Sequence, residues 1–528
     1  MRSSTKTSSL SDKEAFDDDK HHHATADVSE VDENAQFSIQ DAIDPEEAAR
    51  VRRKVDRHIL PLMCVVYWVT YMDKTTLGSS AVLGLKTSTH LNATQYNWLS
   101  TIFYLSYLVF QYPQNLALQR FPVGKWLSAN IFIWGVILCL HAACKNFGGL
   151  FAVRLIKDFI LKIDVQLGAC EACLTPGFMI VSAMFYTRRE ITLRIGCWYL
   201  MIGIADITIG FLAFGALHIK TLTFEPWKWL MIMCGIITIV IAVCYWLFFP
   251  DSPATAWFLT PEERVIAVNR IKANQAGIEN KHFKKEQMIE CLVDPKTWIF
   301  ALHAGIRNIP NSLSNQNSLI IKSFGFTELQ TTLLSCVTGG IKIASALSGV
   351  ALATYFNSIA YVGASYYIPS VIGSILVSTL PWSNKVGLLI SEYIVGVCGV
   401  GTPLGYSWVM QTTAGHTKRI TMNAVIFIID SVGNSIGPQM WADQFAPRYH
   451  VPWAVISICY TTAALLLLLQ RYMLNKENKR RDREPPDDTY DDVWVKITDE
   501  GGEIIEKKVD RAFLDLTDRQ NREFRYVL

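Results

Sequence analysis

The chain has 528 residues, half of them hydrophobic and only 18% charged, against roughly a quarter in ordinary soluble domains, which indicates a membrane protein. Its formal net charge of +2 excludes a strongly basic nucleic-acid binder, and no zinc-type Cys/His spacing, phosphate-binding glycine loop or nucleophile motif occurs in context. We therefore expect a protein that is not an enzyme and that needs no metal and no cofactor. The twelve cysteines lie mostly in apolar segments, which favours free thiols over a disulfide framework.

The first segment, residues 1–50, is rich in Ser, Asp, Glu and His and lacks the apolar core of a signal peptide. This composition predicts a disordered cytosolic tail. The three histidines at 21–23 are better explained as part of a solvated polar run than as a metal site.

Twelve apolar stretches follow, each close to the roughly 20 residues that a helix needs to cross a bilayer core of about 30 Å. They lie at about 59–82, 95–117, 126–144, 167–186, 191–216, 228–249, 297–319, 328–353, 360–380, 385–409, 420–440 and 450–472. A polar linker, 251–296, separates the sixth stretch from the seventh. The sequence thus predicts an all-α membrane protein with twelve transmembrane helices in two six-helix bundles, 51–250 and 297–474, and a cytosolic C-terminal tail, 475–528.

Basic residues favour the cytosolic side of short loops. Lys and Arg recur before span one and after spans two, four, ten and twelve, whereas the opposite loops hold about one each. Both termini are therefore predicted to be cytosolic. The loop between spans eight and nine carries no basic residue, so the rule makes no prediction there. The sequon Asn92-Ala93-Thr94 falls on a predicted outer loop.

Charged side chains inside spans are costly and usually face a cavity or a partner, so each is a candidate functional residue. The alternative for each is an ion pair that only joins helices, or a side chain near enough to a span end to reach the interface. We favour this alternative for Lys342, Glu392 and Asp430. The charged residues inside the spans are Asp73, Lys74, Glu171, Asp206, Arg307, Lys342, Glu392 and Asp430.

Span seven carries a stripe of amide side chains. Asn308, Asn311 and Asn315 recur at helical spacing together with Ser312, and Pro310 interrupts the helix. Because amides facing lipid would stay unsatisfied, this face should line a cavity or pack on polar neighbours. Such a stripe is typical of a solute-binding half-channel; the alternative is hydrogen bonding that holds helices together.

Several stretches carry a family resemblance, among them "LPLMCVVYWVTYMDKTTLGSSAVLGL", "EACLTPGFMIVSAMFYTRREITLRIGCWY", "LALQRFPVGKWL", "PNSLSNQNSLIIKSFGF", "SVGNSIGPQ" and "FLDLTDRQNREFRYVL". From about residue 46 onward the chain resembles the major facilitator superfamily, within it the anion:cation symporters, and most closely the fungal allantoate permease group. These stretches are specific for the family and not for the substrate.

The resemblance implies proton-coupled uptake of a small organic anion by two bundles that rock about a central site, in a protein that we expect to be a monomer in the plasma membrane. The anions of the family include ureido acids such as allantoate, nicotinate-like vitamins, sulfur-containing acids and small peptides. Carried over by position, the anion-binding cation is Lys74, the proton-carrying acids are Asp73 and Glu171, and Arg154 is the arginine at the start of span four. Asn308, Asn311, Asn315 and Arg307 are further candidate substrate contacts.

A coupling mechanism follows from the charges of span one. An anion entering a cell with a negative interior climbs about 2.3 kcal/mol per charge per 100 mV, so one proton cancels the cost and two make entry favourable. When a substrate occupies Lys74, Asp73 would lose a neutralising neighbour and should hold a proton more readily. The two residues point about 100° apart on a helix, so we interpret them as one cation for the anion and one acid for the proton.

The chain departs from the family pattern at ten residues, 157–166, that separate Arg154 from Glu171. Without them the two residues would lie seven positions apart, two turns along one helix face. The segment is either unspliced intron sequence in the gene model or a lengthened loop before span four. In the second case the insertion could leave the protein without function. The chain also departs at Asp206, Arg307, Lys342 and Asp430, positions where we expect less charged residues in close relatives.

Two other classes of function fit the sequence less well. A nutrient sensor on a transporter scaffold would usually carry long cytosolic extensions, whereas the C-terminal tail here is modest and of mixed charge. A membrane enzyme would need paired catalytic groups near the interface, and the sequence presents none. The sequence therefore favours a permease.

Overall fold

The computed structural model describes residues 24–25, 44–144, 163–219, 224–275, 284–446, 448–485, 493–498, 504–508 and 516–528. The helices, in chain order, are α1 (Pro45–Val82), α2 (Leu85–Ser88), α3 (Ala93–Arg120), α4 (Val123–His141), α5 (Ile163–Phe185), α6 (Arg188–Tyr199), α7 (Met201–His218), α8 (Pro226–Phe248), α9 (Pro261–Gln275), α10 (Lys285–Val293), α11 (Pro295–Asn308), α12 (Leu313–Ser323), α13 (Glu328–Tyr355), α14 (Ile359–Thr379), α15 (Lys385–Val395), α16 (Gly401–Thr412), α17 (His416–Ile436) and α18 (His450–Arg481). Single 3₁₀ turns occur at Pro253–Thr255, Ile309–Ser312, Gly396–Val400, Gly437–Met440 and Asp443–Phe445.

Eight helical segments in the described part of the chain are long and apolar enough to cross a membrane. They are Val123–His141, Leu193–His218, Pro226–Phe248, Glu328–Tyr355, Ile359–Thr379, Lys385–Thr412, Thr417–Met440 and His450–Arg481. Each overlaps one of the twelve predicted spans. The other four predicted spans are also helical and lie on α1, α3, α5 and the α11–α12 pair. These four are the more polar ones, and they carry most of the candidate site residues.

Local sequence signals set several helix ends. Asp44 caps α1 by accepting a hydrogen bond from the Glu46 backbone N–H, and Pro45 occupies the first turn, where its missing N–H is harmless. Helices α3 and α13 each begin with a capping box, formed by Asn92 with Gln95 in α3 and by Thr327 with Gln330 in α13. The predicted break in span seven is confirmed, because Pro310 lies in the 3₁₀ turn that separates α11 from α12.

The buried hydrophobic side chains form two large clusters, one between residues 51 and 267 and one between 291 and 526. The first holds together α1–α8, the N-terminal bundle, and the second holds together α11–α18, the C-terminal bundle. Each helix of the polar linker forms an ion pair with a different bundle. Glu263 of α9 pairs with Lys54 of α1 at 2.6 Å, and Glu290 of α10 pairs with Lys418 of α17 at 2.8 Å.

Within the described residues the two bundles meet mainly along three helix pairs, α1 with α12, α3 with α17 and α7 with α13, and more weakly where α6 meets α16. Two of the pairs approach through glycine. A Cβ at Gly78 of α1 would lie 2.6 Å from the Asn315 carbonyl oxygen, and one at Gly203 of α7 would lie 2.5 Å from the Gly339 carbonyl oxygen. Backbones this close leave no room for larger residues, so these contacts fix how near the bundles can come.

The last described segment, residues 516–528, packs against the C-terminal bundle on the side where α1 begins and α18 ends, and we call it the C-terminal strap. Asp518 is fully buried, with Oδ2 2.6 Å from Lys296 Nζ and Oδ1 2.9 Å from Lys418 Nζ. Burial by itself would raise the pKa of Asp518, but the two lysine ammonium groups outweigh it and hold this pKa below its usual range.

Backbone contacts extend the strap across further helices. Trp408 Nε1 donates to the Val527 carbonyl at 2.8 Å, the Ile359 N–H donates to the Leu528 carbonyl at 3.1 Å, and Arg481 Nη1 donates to the Phe524 carbonyl at 2.8 Å. The strap therefore joins α11, α14, α16, α17 and α18 at one end of the bundle.

Three short strands add to the helices. Ala24–Thr25 pairs in parallel with Val493–Thr498, which pairs antiparallel with Ile504–Lys508. They belong to the two terminal segments of the chain. Extended segments rich in Val and Ile favour such pairing.

Candidate functional site

The central ion pair of the N-terminal bundle joins α1 to α5. Lys74 Nζ lies 3.0 Å from Glu171 Oε1, and each side chain keeps 20% of its exposure. The ammonium also lies 5.1 Å from the ring centroid of Tyr104 and 5.8 Å from that of Phe103, both on α3. Glu171 Oε2 is buried and has no hydrogen-bond partner within the described residues. One ion-pair contact to a partly exposed cation therefore holds this carboxylate in place.

Asp73 points away from Lys74, into the packing between α1 and α8. Its Oδ2 accepts a hydrogen bond from Thr238 Oγ1 at 2.7 Å, and the residue is only 5% exposed. Successive helix residues point about 100° apart, so Lys74 reaches α5 whereas Asp73 reaches α8, although both contribute to the lining of one small cavity. The carboxylate that pairs with Lys74 is therefore Glu171 and not its neighbour Asp73.

The central ion pair of the C-terminal bundle joins α11 to α17. Arg307 Nη2 lies 3.1 Å from Asp430 Oδ1, and their side chains keep 9% and 16% of their exposure. Arg307 also donates to Thr402 of α16, and Asn308 donates to the same Asp430 oxygen. The guanidinium predicted to contact an anion is thus already engaged by two side chains of its own bundle.

The predicted amide stripe lies along the break between α11 and α12. Asn311 Nδ2 donates to Asn434 Oδ1 at 2.7 Å, and Asn434 Nδ2 donates to the Asp430 carbonyl at 3.0 Å. Through Asn308 and Asn311, the end of α11 and the turn that follows it are hydrogen-bonded to Asp430 and Asn434 of α17. Asn308 and Asn311 therefore belong to a polar network within the C-terminal bundle, which satisfies their amide groups away from lipid.

Asn315 lies at the interface between the bundles. Its Nδ2 is 3.5 Å from Ser100 Oγ, and its backbone carbonyl accepts a hydrogen bond from the Tyr96 hydroxyl at 3.1 Å. Nearby, Gln316 donates to Asn97 Oδ1 at 3.1 Å, and Asn97 donates to the Trp441 carbonyl at 2.7 Å. These bonds lie on the side opposite the chain termini, and they close the interface between the bundles there.

A cavity of about 40 Å³ lies between this closure and the ion pair of the N-terminal bundle. Its lining includes Asp73, Lys74, Ser100, Tyr104 and Asn315. It therefore brings together predicted site residues from α1 and α12 with an aromatic side chain from α3. A larger groove of about 590 Å³ lies between the starts of α1 and α9 and is distant from these charges.

Arg154 lies outside the described residues, as do 157–162 of the ten-residue departure. The backbone of 163–166 belongs to the start of α5, the helix that carries Glu171. The predicted pairing of Arg154 with Glu171 is thus not addressed by these contacts, and Glu171 is paired with Lys74.

A third ion pair was not predicted. Lys342 Nζ of α13 lies 2.6 Å from Asp206 Oδ2 of α7, so this pair connects the two bundles. Both residues were noted as charges within spans, but a sequence alone does not show which helices face each other. Tyr104 and Phe103 were also missed, because aromatic residues in an apolar span give no signal of their own. The signal for Asn434 was its position in the stretch "SVGNSIGPQ".

Within the described residues, no group of three His, Cys, Asp or Glu side chains is arranged to hold a metal ion. The chemistry of this region is that of cations, carboxylates and amides at a helical interface. Such groups can bind an anion and hold or release protons.

Comparison with known families identifies the architecture. The family model of the Major Facilitator Superfamily matches residues 63–438. The chain belongs to this superfamily. The match begins in α1 just before Lys74 and ends in the turn after α17, so it includes all three central ion pairs of this major facilitator protein.

Curated relatives cover nearly the whole length of the chain. An uncharacterized transporter of Schizosaccharomyces pombe is 33% identical over 98% of this chain and 91% of its own length. The Thiamine pathway transporter of Saccharomyces cerevisiae is 34% identical over 94% of this chain and 91% of its own length. The Allantoate permease of the same yeast is 31% identical over 95% of this chain and 90% of its own length.

Solved structures of low sequence identity share the fold. The xylose transporter of E. coli, in a partially occluded inward open conformation, superposes with a TM-score of 0.59 at 10% identity and covers 78% of this chain and 96% of its own. A bacterial homolog of the human lysosomal transporter Spinster gives a TM-score of 0.57 at 12% identity and covers 82% of this chain and 99% of its own. This major facilitator protein is a multi-pass membrane transporter of small molecules and not an enzyme.

Proposed function

We propose that this transporter imports a small organic anion, an allantoate-like ureido acid or a related carboxylate, together with protons by alternating access. The observation that carries the proposal is the Lys74–Glu171 pair, in which a partly exposed ammonium has one replaceable carboxylate partner. A substrate carboxylate that binds Lys74 displaces Glu171. The displaced glutamate, buried among α1, α3 and α5, then takes up a proton, because an uncompensated carboxylate is far more costly to bury than a carboxylic acid.

The other candidate residues take supporting roles in this proposal. Tyr104 and Phe103 limit the space around the ammonium and favour a flat substrate. Asn311 and Asn315 supply amide groups to the uncharged part of the substrate, as a ureido group with several N–H donors and a carbonyl requires. Arg307 and Asn308 hold the opposite wall in place, and Arg307 is a second anion contact only if the bundles' motion frees it from Asp430.

Asp73 is a second buried acid on the N-terminal side. Its Oδ1 is buried without a hydrogen-bond partner in the described part of the chain, and Thr238 donates to its other oxygen. In the proposal Asp73 remains a proton-coupling residue, although not through contact with Lys74. Arg154 remains the expected helix-pairing residue of the fourth span.

The names of the relatives support a carboxylate substrate and leave its identity open. Besides the Allantoate permease, a High affinity cysteine transporter of Saccharomyces cerevisiae is 29% identical over 92% of this chain. The alternatives are therefore nicotinate or another vitamin acid, a sulfur-containing acid or a dipeptide. Each carries the carboxylate that Lys74 would bind.

For the membrane arrangement we propose a monomer in the plasma membrane with both termini in the cytosol. The proposed boundaries are a tail at 1–50, a six-helix bundle at 51–250, a linker at 251–296, a second bundle at 297–474 and a tail at 475–528. The distribution of Lys and Arg among the loops supports this orientation.

The test is uptake by cells that express the full chain, with a panel of labelled allantoate, nicotinate, pantothenate, cysteine and a dipeptide. We expect uptake of at least one anion that rises at acidic external pH and that falls to background with a protonophore. Glu171→Gln should keep exchange of labelled for unlabelled anion and lose accumulation. Accumulation that survives the protonophore would contradict proton coupling, and the absence of uptake of every anion would contradict the substrate class.

A further inference from the structure

A group of three charged side chains lies away from the proposed substrate site, where the two bundles meet. Asp206 on α7 pairs with Lys342 on α13 at 2.6 Å, and α15, the helix that carries Glu392, packs on α13 through the Tyr393 hydroxyl, which donates to the Leu334 carbonyl at 2.8 Å. Among the salt bridges of the described residues, the Asp206–Lys342 pair is the one that joins the two bundles. No role in substrate binding requires these residues.

The helices that carry this pair are in direct backbone contact. A Cβ at Gly203 would lie 2.5 Å from the Gly339 carbonyl oxygen, and one at Gly210 would lie 2.8 Å from the Thr332 carbonyl oxygen. In an alternating-access transporter the bundles rotate relative to each other, so helices this close must slide or turn at their contact. A hydrogen-bonded ion pair at 2.6 Å across such a contact changes its geometry when they do.

The charges of the three residues do not balance if all are ionised. Lys342 neutralises Asp206, which leaves Glu392 without a counter-ion although it is only 2% exposed. Its Oε2 is buried with no hydrogen-bond partner in the described part of the chain. An isolated buried carboxylate is strongly disfavoured, so Glu392 is a carboxylic acid while Lys342 remains with Asp206.

Few other titratable groups face this acid. Lys342 faces Glu392 from α13. Tyr393, the residue after Glu392, donates its hydroxyl hydrogen to the Leu334 carbonyl. From α14, Gly373 and Ser370 pack against the backbone of α15 at this level. On the far side of Lys342, Tyr71 of α1 lies with its ring centroid 5.7 Å from the ammonium, and the Cys336 thiol donates to the carbonyl of Ile207, the residue after Asp206, at 3.5 Å. Lys342 is thus the one cation facing Glu392 within the described residues.

We propose that Glu392 is a second proton-carrying residue, which responds to the movement of the bundles and not to the substrate. When α7 and α13 separate on the side of the chain termini, Lys342 leaves Asp206 and turns to Glu392. The O–H bond of Glu392 then breaks, its proton passes to water on that side, and the carboxylate pairs with the ammonium. The separation of α7 from α13 exposes Asp206 to the same water, so Asp206 stays ionised by hydration after it loses its cation, and one proton leaves in each opening. The inference rests on the proposed proton coupling and adds a second proton to the one on Glu171, so that a monovalent anion enters with one net positive charge.

The first measurement needs no substrate. The infrared spectrum of the purified full chain near neutral pH should contain a carboxylic acid band that is absent from Glu392→Gln. Asp206→Asn should lose the same band, because it frees Lys342 to ionise Glu392. Glu328→Gln, which changes a surface glutamate of the same bundle, is the matched control and should leave the band unchanged. A wild-type spectrum without the band would overturn the inference.

The second measurement is uptake, by vesicles with an imposed pH gradient and a potassium diffusion potential, of each monovalent labelled anion of the panel named above, allantoate first. Per net positive charge moved, an inside-negative potential of 100 mV raises the accumulation ratio about 50-fold. Wild type should show this stimulation, whereas Glu392→Gln should respond to the pH gradient and not to the potential. Stimulation of Glu392→Gln equal to that of wild type would also overturn the inference. A wild-type protein without pH-driven uptake would instead contradict the proposed function, and the infrared result then decides the inference by itself.

Discussion

The two bundles each hold a cation–carboxylate pair near the middle of their helices, but they hold it in different ways. In the N-terminal bundle, one 3.0 Å contact joins Lys74 to Glu171, and each side chain is 20% exposed. In the C-terminal bundle, the Arg307–Asp430 pair is more buried and is joined by Thr402 and Asn308. The Lys74–Glu171 pair is therefore held by one contact, whereas the Arg307–Asp430 pair is held by additional hydrogen bonds.

The same contrast continues at the side of the chain termini. The C-terminal strap fastens five helices of the C-terminal bundle through Asp518 and through backbone contacts. At that side the ion pairs of the N-terminal bundle are mixed: the lysine of the Lys54–Glu263 pair is 40% exposed, whereas Arg270 and Glu190 are 8% and 13% exposed, and no ion pair there is as buried as Asp518 with its two lysines among the described residues. Buried, multiply bonded charges hold a structure in one geometry, whereas partly exposed pairs contribute little stability. The difference suggests that substrate chemistry belongs to the first bundle and mechanical support to the second.

The largest effect is expected at Lys74. Lys74→Gln removes the exchangeable cation, so uptake of the transported anion should fall to the background of cells without the protein. Because the side chain is partly exposed, the thermal stability of the purified protein should change little. Lys322→Gln, at a surface pair of the C-terminal bundle, is the matched control and should transport normally. Uptake retained by Lys74→Gln would break the assignment of substrate chemistry to the N-terminal bundle.

The second effect should appear in stability. Arg307→Gln leaves Asp430 buried without its cation, which should cost about 3–5 kcal/mol of unfolding free energy. The double variant Arg307→Gln with Asp430→Asn removes both charges and should recover most of this loss. Thermal unfolding of the purified proteins measures both changes.

Anion uptake by the same double variant separates the two roles of Arg307. If Arg307 only supports the wall, the double variant transports with nearly the wild-type KM. A KM raised tenfold or more in a stable double variant would instead make Arg307 a substrate contact and remove the contrast between the bundles.

The third effect concerns the strap and depends on pH. Asp518→Asn should destabilise the C-terminal bundle by about 2–3 kcal/mol, since Lys296 loses its carboxylate while Lys418 keeps Glu290 and Asp294. The folded pKa of Asp518 is lowered, so its contribution is complete above its unfolded pKa of about 3.9 and is lost as the pH falls through the folded value. The difference in melting temperature between wild type and variant should be full at about pH 7 and shrink below about pH 4. A difference that is constant across this range would exclude the ionised carboxylate as its source.

The sequence predicts the spans well because each needs a long apolar stretch, and this requirement is visible residue by residue. It also identifies Lys74, Glu171 and Arg307, since charges stand out in apolar surroundings. The sequence does not show which of these charged residues form ion pairs with each other. Lys74 and Glu171 are 97 residues apart, and Asp206 and Lys342 are 136 residues apart, so their pairing depends on how each helix is rotated in its bundle.

The strap shows the same limit. The sequence "FLDLTDRQNREFRYVL" is polar enough to be interpreted as an exposed tail, and it supports a family resemblance without showing where it docks. Asp518 becomes fully buried only because two lysines from α11 and α17 meet it. Such a site exists only in the folded bundle, and no local pattern of residues encodes it.

The smallest effect is expected in the amide network. Asn311→Ala and Asn434→Ala each break the 2.7 Å hydrogen bond between α17 and the broken helix, at a cost of about 1 kcal/mol. If the bond only supports the wall, the two variants should lose similar stability, the double variant should lose little more than either, and KM should stay within about twofold of wild type in all three. If Asn311 also binds the uncharged part of the substrate, Asn311→Ala alone should raise KM, because Asn434 lies one bond further from the space between the bundles. The comparison of two KM values thus measures how far substrate binding extends into the C-terminal bundle.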